Sequence, residues 1–175
     1  NPCITAKVNR LTDLARRAGD LVIWVMHSVP GSNTVFDADL GYLRLIDGLD
    51  WHDDEPILVK TSVNAFTTTN LQQYLTTHGV HEIIVCGIST EQCCETTTRI
   101  ASDYGYRVTF VTDATATFSI AHRDAPANRS VAEILDDPRT LGTAEIIART
   151  EYTLAGRFAT IATVAELEAA AAVMA

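Results

Sequence analysis

Residues 83–98 read Ile83-Ile84-Val85-Cys86-Gly87-Ile88-Ser89-Thr90-Glu91-Gln92-Cys93-Cys94-Glu95-Thr96-Thr97-Thr98. The first four form a short apolar run, and such a run bounded by turn signals reads as a strand buried on both faces. Gly87 ends it, a tight turn follows, and helical spacing then runs from Cys94 to Tyr104, where Gly105 stops it. The stretch is therefore strand, turn, helix. Working outward, the same unit recurs. Leu21-Val22-Ile23-Trp24-Val25-Met26, Ile57-Leu58-Val59, Val108-Thr109-Phe110-Val111 and Phe158-Ala159-Thr160-Ile161 are further apolar runs. Between and around them, helices are expected over residues 4–18, from Leu71 through Leu75 to the Gly79 stop, and over 130–135, 144–154 and 164–173. Strands alternating with helices imply right-handed crossovers and a parallel sheet. The expected fold is thus α/β: three layers, α/β/α, around a doubly wound, mainly parallel, Rossmann-like sheet. Chemistry in such sheets sits at the carboxyl ends of the strands.

The chain of 175 residues suits a single domain, and no linker, low-complexity segment or repeat divides it. A net charge of −9 argues against nucleic acid and anionic membranes as partners, because both demand clustered Lys and Arg. There is no apolar run long enough to span a membrane, and Asn1-Pro2-Cys3 does not open a signal peptide. The four cysteines lack zinc-ligand spacing, and adjacent Cys93 and Cys94 are too close for an ordinary disulfide. Free thiols in a cytoplasmic protein are the expectation. The polar stretch over residues 28–54 is long for a loop and is expected to be functional or to hold a short helix.

Three strand ends carry reactive groups. Lys60 directly follows Ile57-Leu58-Val59. It is either a solvated strand end or a partly buried ammonium that serves proton transfer or a thiolate. Cys93 falls at the start of a helix, where free N–H groups and the positive dipole end make a thiol more nucleophilic and could hold an oxyanion. The competing reading is a small buried hydrophobe, and that reading is preferred for Cys3, Cys86 and Cys94. Asp113 ends the Val108–Val111 run and is read as a turn cap. His27, after Met26, is read as a pocket-wall histidine rather than a catalyst. Trp24, Phe36, Trp51 and Phe66 are read as core or pocket lining.

Two of these segments resemble the isochorismatase-like cysteine hydrolases, the superfamily that includes nicotinamidases and N-carbamoylsarcosine amidases. One is residues 87–98, followed by Gly105-Tyr106-Arg107-Val108 and Asp113-Ala114. The other is Lys60-Thr61-Ser62-Val63-Asn64-Ala65-Phe66 with Thr69 and Leu71. The resemblance covers nearly the whole chain, as one domain over residues 1–175. It implies a sheet of about six strands, Cys93 as nucleophile and Lys60 as its partner in an Asp-Lys-Cys triad. It implies backbone N–H groups of Ser89 and Cys93 as an oxyanion hole, a cis peptide at Ile88–Ser89, and a homo-oligomer. His27, Trp24, Phe66 and Phe36 are the expected substrate pocket. The family acid sits at the end of a first strand, which this sequence would place before Asn1; such a strand is expected upstream.

The resemblance implies hydrolysis of a small amide or other C–N bond through a thioester acyl-enzyme, with no cofactor. Val25-Met26-His27 offers one His where nicotinamidases carry metal ligands, so no metal is expected and metal-dependent nicotinamidase activity is disfavoured. Cys93 likewise disfavours vinyl-ether hydrolysis, since true isochorismatases lack that nucleophile. The alternative is a non-catalytic relative that binds a ligand or partner. A nucleotide-dependent oxidoreductase is set aside because no Gly-x-Gly-x-x-Gly follows a strand.

Overall fold

The computed structural model describes residues 3–174. The strand expected before Asn1 lies outside the described residues. The elements are α1 (Ile4–Ala18), β1 (Trp24–His27), β2 (Ile57–Lys60), α2 (Leu71–Thr77), β3 (Glu82–Ile88), α3 (Glu95–Asp103), β4 (Arg107–Ala116), α4 (Val131–Asp136), α5 (Thr143–Leu154), β5 (Thr160–Ala162) and α6 (Val164–Met174). Among the described residues the five strands form two parallel sheets, ordered β1-β2 and β3-β4-β5. The mixed α/β character with parallel strands agrees with the sequence reading; the count of about six strands is not reached among these residues.

The helices begin and end where side-chain chemistry dictates. Gly19 closes α1 at φ 77°, a left-handed conformation that costs glycine little, and its N–H reaches back to the carbonyls of the last turn. Ser130 caps α4 in a capping box with Glu133, so that helix starts one residue later than its spacing suggested. Residues 28–54 hold a short 3₁₀ turn, Ala38–Leu40, whose Asp39 amide donates to the buried Asp37 carboxylate.

The layers follow from β4. Its Val108 and Phe110 face one core, with Phe66, Leu71, Leu75, Cys94, Ala101 and Leu154. Its Val111 faces the other, with Val8, Leu11, Trp24, Ala114 and Val164. Alternating side chains on one strand thus bury two opposite helix layers. A register shift opposite Val85 and Gly87 places extra β4 residues there and reverses the alternation, which is why Ala114 joins Val111. The same irregularity brings Asp113 to the start of α6. Its carboxylate accepts from the Val164 N–H at 2.8 Å and pairs with Lys7 of α1. Asp113, read from sequence as the cap of the turn after its own strand, instead lies within β4 and caps the distant helix α6.

Two expectations need correction. The apolar run 21–26 becomes strand only at Trp24. The Trp24 N–H bonds to the Pro56 carbonyl, and Pro56 has no N–H with which to extend the ladder to residues 21–23. The strands are also less buried than apolar runs suggest: Val25, Val59 and Ile84 remain exposed. Helices α1, α3, α5 and α6 all pack on β4, and coverage thins toward β1 and β2.

Candidate active site

His27 and Lys60 end β1 and β2 as register partners. Partners in a parallel ladder project to the same face, so a contact between them follows from the pairing alone. Lys60 Nζ lies 3.0 Å from His27 Nδ1. Its remaining directions are also taken: Nζ donates to the Ser62 carbonyl at 2.9 Å and to Cys93 Sγ at 3.2 Å. An ammonium has three donors and no acceptor, and here three acceptors surround it. Lys60 is only 4% exposed, and among the described residues no carboxylate lies within ion-pairing distance of it.

The loop after β2 holds the Ser62 carbonyl in place. Thr68 Oγ1 accepts from the N–H groups of Thr61 and Ser62, and Asn64 Oδ1 accepts from those of Phe66 and Thr67, an Asx turn. The Ala65 N–H then bonds to Thr97 Oγ1, tying the Lys60 loop to α3.

Cys93 arrives from the other sheet. After β3 the Ile88–Ser89 peptide is cis, and residues Thr90–Cys94 form one wide helical turn, with the Cys94 N–H reaching five residues back to the Ser89 carbonyl at 3.1 Å. Such π-type turns are frequent at functional sites. Gly87 sits at φ 125°, a backbone conformation that any side chain would strain. Successive side chains on a helical turn point about 100° apart. Cys93 thus faces Lys60 while Cys94 is buried in the core beside Phe66. Burial pushes the Cys94 thiol well above its ordinary pKa and the Cys86 thiol up to about 11, so both stay protonated.

Behind Cys93, Glu95 is buried and accepts from Arg99 (2.9 and 3.1 Å), Arg149 (2.6 Å) and Thr150 (2.9 Å), joining the start of α3 to α5. Deeper still, Thr90 Oγ1 bonds Thr115 Oγ1 at 3.0 Å, and Glu91 accepts from Thr117 at 2.6 Å. Sequence reasoning missed the role of Glu95, although its four-residue spacing to Arg99 was a readable signal.

The expected pocket residues divide. Phe36 stands beside the site: its ring meets His27 edge-on at 6.2 Å, and its carbonyl accepts from the Val29 N–H and Ser28 Oγ, which folds the loop back over the end of β1. Trp24 and Phe66 do not join this group. Trp24 begins β1, at the opposite end from His27, and its Nε1 donates to Glu55 at 2.7 Å. Phe66 is buried against Tyr104 and Tyr106. Trp51 is half-exposed and bonds the Glu55 carbonyl, away from these groups. Among the described residues no cluster of three or more His, Cys, Asp and Glu side chains is placed to hold a metal ion, and no helix is long and apolar enough to cross a membrane.

Comparison with known proteins places this arrangement. The isochorismatase domain family matches residues 1–137. A protein named nicotinamidase 3 from Arabidopsis thaliana is 49% identical over 65 residues, covering 37% of this chain and 33% of its own length. A second Arabidopsis thaliana protein, named a probable inactive nicotinamidase, is 35% identical over 133 residues, 65% of this chain and 67% of its own. The crystal structure of an isochorismatase from Pseudomonas putida KT2440 superposes with a TM-score of 0.77 at 32% identity, covering 93% of this chain and 76% of that one.

Proposed function

The chain belongs to the isochorismatase family of hydrolases, and from that premise we propose that it is a cysteine-dependent hydrolase of a small amide or other C–N bond. The observation that carries this reading is the 3.2 Å contact between a buried Lys60 ammonium and the Cys93 sulfur. A buried ammonium calls for a counter-charge. A Cys93 thiolate would supply one, and the thiolate is the nucleophilic form.

In the proposed reaction Cys93 Sγ attacks the carbonyl carbon and a C–S bond forms. The oxyanion is held by the backbone N–H groups of Ser89, just before the wide turn, and of Cys93 within it. The C–N bond then breaks, with the leaving amine taking its proton from Lys60. Water adds to the thioester carbonyl and returns a proton to Lys60, and the C–S bond then breaks, releasing the carboxylic acid and regenerating the Cys93 thiolate. Phe36 and His27 line the approach. The reading needs no metal and no cofactor.

Amine release from a panel of small amides and carbamoyl compounds tests the proposal. Turnover of at least one compound by the native protein, lost in Cys93→Ala, is the expected result. A Cys93→Ala variant as active as the native protein would refute it. The second reading, a non-catalytic binding protein, is favoured by the relative whose name calls it inactive. It predicts binding without turnover, together with a Cys93 that iodoacetamide labels no faster than Cys86.

A further inference from the structure

We propose that His27 is a positioning residue for Lys60: its bare Nδ1 takes one ammonium proton and so aims another at Cys93 Sγ. The inference rests on the reading of Cys93 and Lys60 as the reacting pair. Lysine has a long, flexible stem, and a single contact would leave Nζ free to swing. Three fixed acceptors remove that freedom, and the near-complete burial of Lys60 keeps water from replacing any of them. His27 is itself held, by its register pairing with Lys60 on the ladder and by the edge of the Phe36 ring. With Lys60 as an ammonium, His27 Nδ1 must be unprotonated, so the ring proton sits on Nε2.

A consequence is a pH dependence. Protonating His27 removes the acceptor and sets two cations 3.0 Å apart. Burial and then the Lys60 charge push the imidazole below its ordinary value of 6.5, against the pull of the Ser62 carbonyl. The neutral, accepting form is therefore the one present at neutral pH, and it is lost as pH falls. From β2 the charged group facing His27 is Lys60; from the wide turn Cys93 reaches the same ammonium. The other charged groups on the adjoining elements are engaged: Asp37 accepts from the Asn33 and Asp39 amides, and Glu91 accepts from Thr117.

The test is the iodoacetamide alkylation rate of each cysteine in the full chain, followed by mass spectrometry from about pH 5 to about pH 8.5. Fragment ions separate Cys93 from Cys94. In the native protein, Cys93 should react much faster than Cys86, and its rate should show an extra fall on the acid side of 6.5. His27→Ala should slow Cys93 about tenfold at neutral pH, the worth of one charge-assisted hydrogen bond, and should lose the acid limb. His27→Asn places a non-titrating oxygen near the position of Nδ1. It should restore the neutral rate to within about threefold and still lack the acid limb. An unchanged Cys93 profile in His27→Ala, or His27→Asn as slow as His27→Ala, would overturn the inference and leave the nucleophile intact. A native Cys93 no faster than Cys86 would instead remove the reading on which the inference stands.

Discussion

Replacing Glu95 by alanine should lower the melting temperature by about 10 °C. Glu95 is 5% exposed, and its carboxylate gathers Arg99, Arg149 and Thr150 at 2.6–3.1 Å. Thr150 is fully buried, so truncation strands its hydroxyl at a cost of about 1–3 kcal/mol. Breaking a buried charge network by removing one partner costs about 3–5 kcal/mol in all. For a chain of this size each kcal/mol moves the midpoint by about 2–4 °C. Glu95→Gln keeps an acceptor for Thr150 and should lose roughly half as much. Arg149 is 58% exposed on its side chain, so Arg149→Ala should cost no more than about 1 kcal/mol, or about 3 °C. Thermal unfolding followed by circular dichroism measures all three variants. A midpoint for Glu95→Ala within about 2 °C of the native value would refute the energetics assigned to this network.

Four further outcomes are expected. Cys93→Ala should abolish turnover while Cys94→Ala retains most of it, because only Cys93 faces Lys60; steady-state kinetics with a substrate found by the amide panel decides this, and a dead Cys94→Ala would reverse the assignment. Lys60→Ala should lower kcat far more than it raises KM, since a proton carrier acts on the chemical step; normal kcat with weak binding would recast Lys60 as an anchor. Asp113→Ala should cost about 1–2 kcal/mol through loss of the α6 cap and the Lys7 pair, visible as a melting shift of a few degrees. Glu55 governs part of the acid stability: burial alone would raise its carboxyl, but hydrogen bonds from Arg16, Trp24 and the His52 amide outweigh this and hold it at about 2. Its folded pKa is thus depressed, so its contribution is present above about 4.5 and is lost as pH falls toward about 2. Denaturant titrations across that range should show a shallower decline in Glu55→Gln than in the native protein.

Periodicity and punctuation in the chain were enough to establish alternating strands and helices, a parallel arrangement, and the placement of Lys60 and Cys93 at strand ends. These features depend on residues close in sequence, where side-chain alternation and helix stops act directly. Tertiary structure alone decided which groups meet. His27 and Lys60 are 33 residues apart and touch because β1 and β2 pair in one register; a one-residue slip would have turned one of them to the other face. Trp24 and Phe36 look equally suited to a pocket in sequence. Trp24 starts its strand and is drawn to the half-buried Glu55, whereas Phe36 is folded back over the strand's far end by the Ser28 and Val29 bonds. The β4 irregularity, which gives Asp113 and Ala114 their partners, arises from unequal residue counts between neighbouring strands and has no signature in β4 itself. Local order follows from local chemistry, while the meeting of three acceptors around one ammonium is a property of strand register and of the turn that carries Cys93 across from the second sheet.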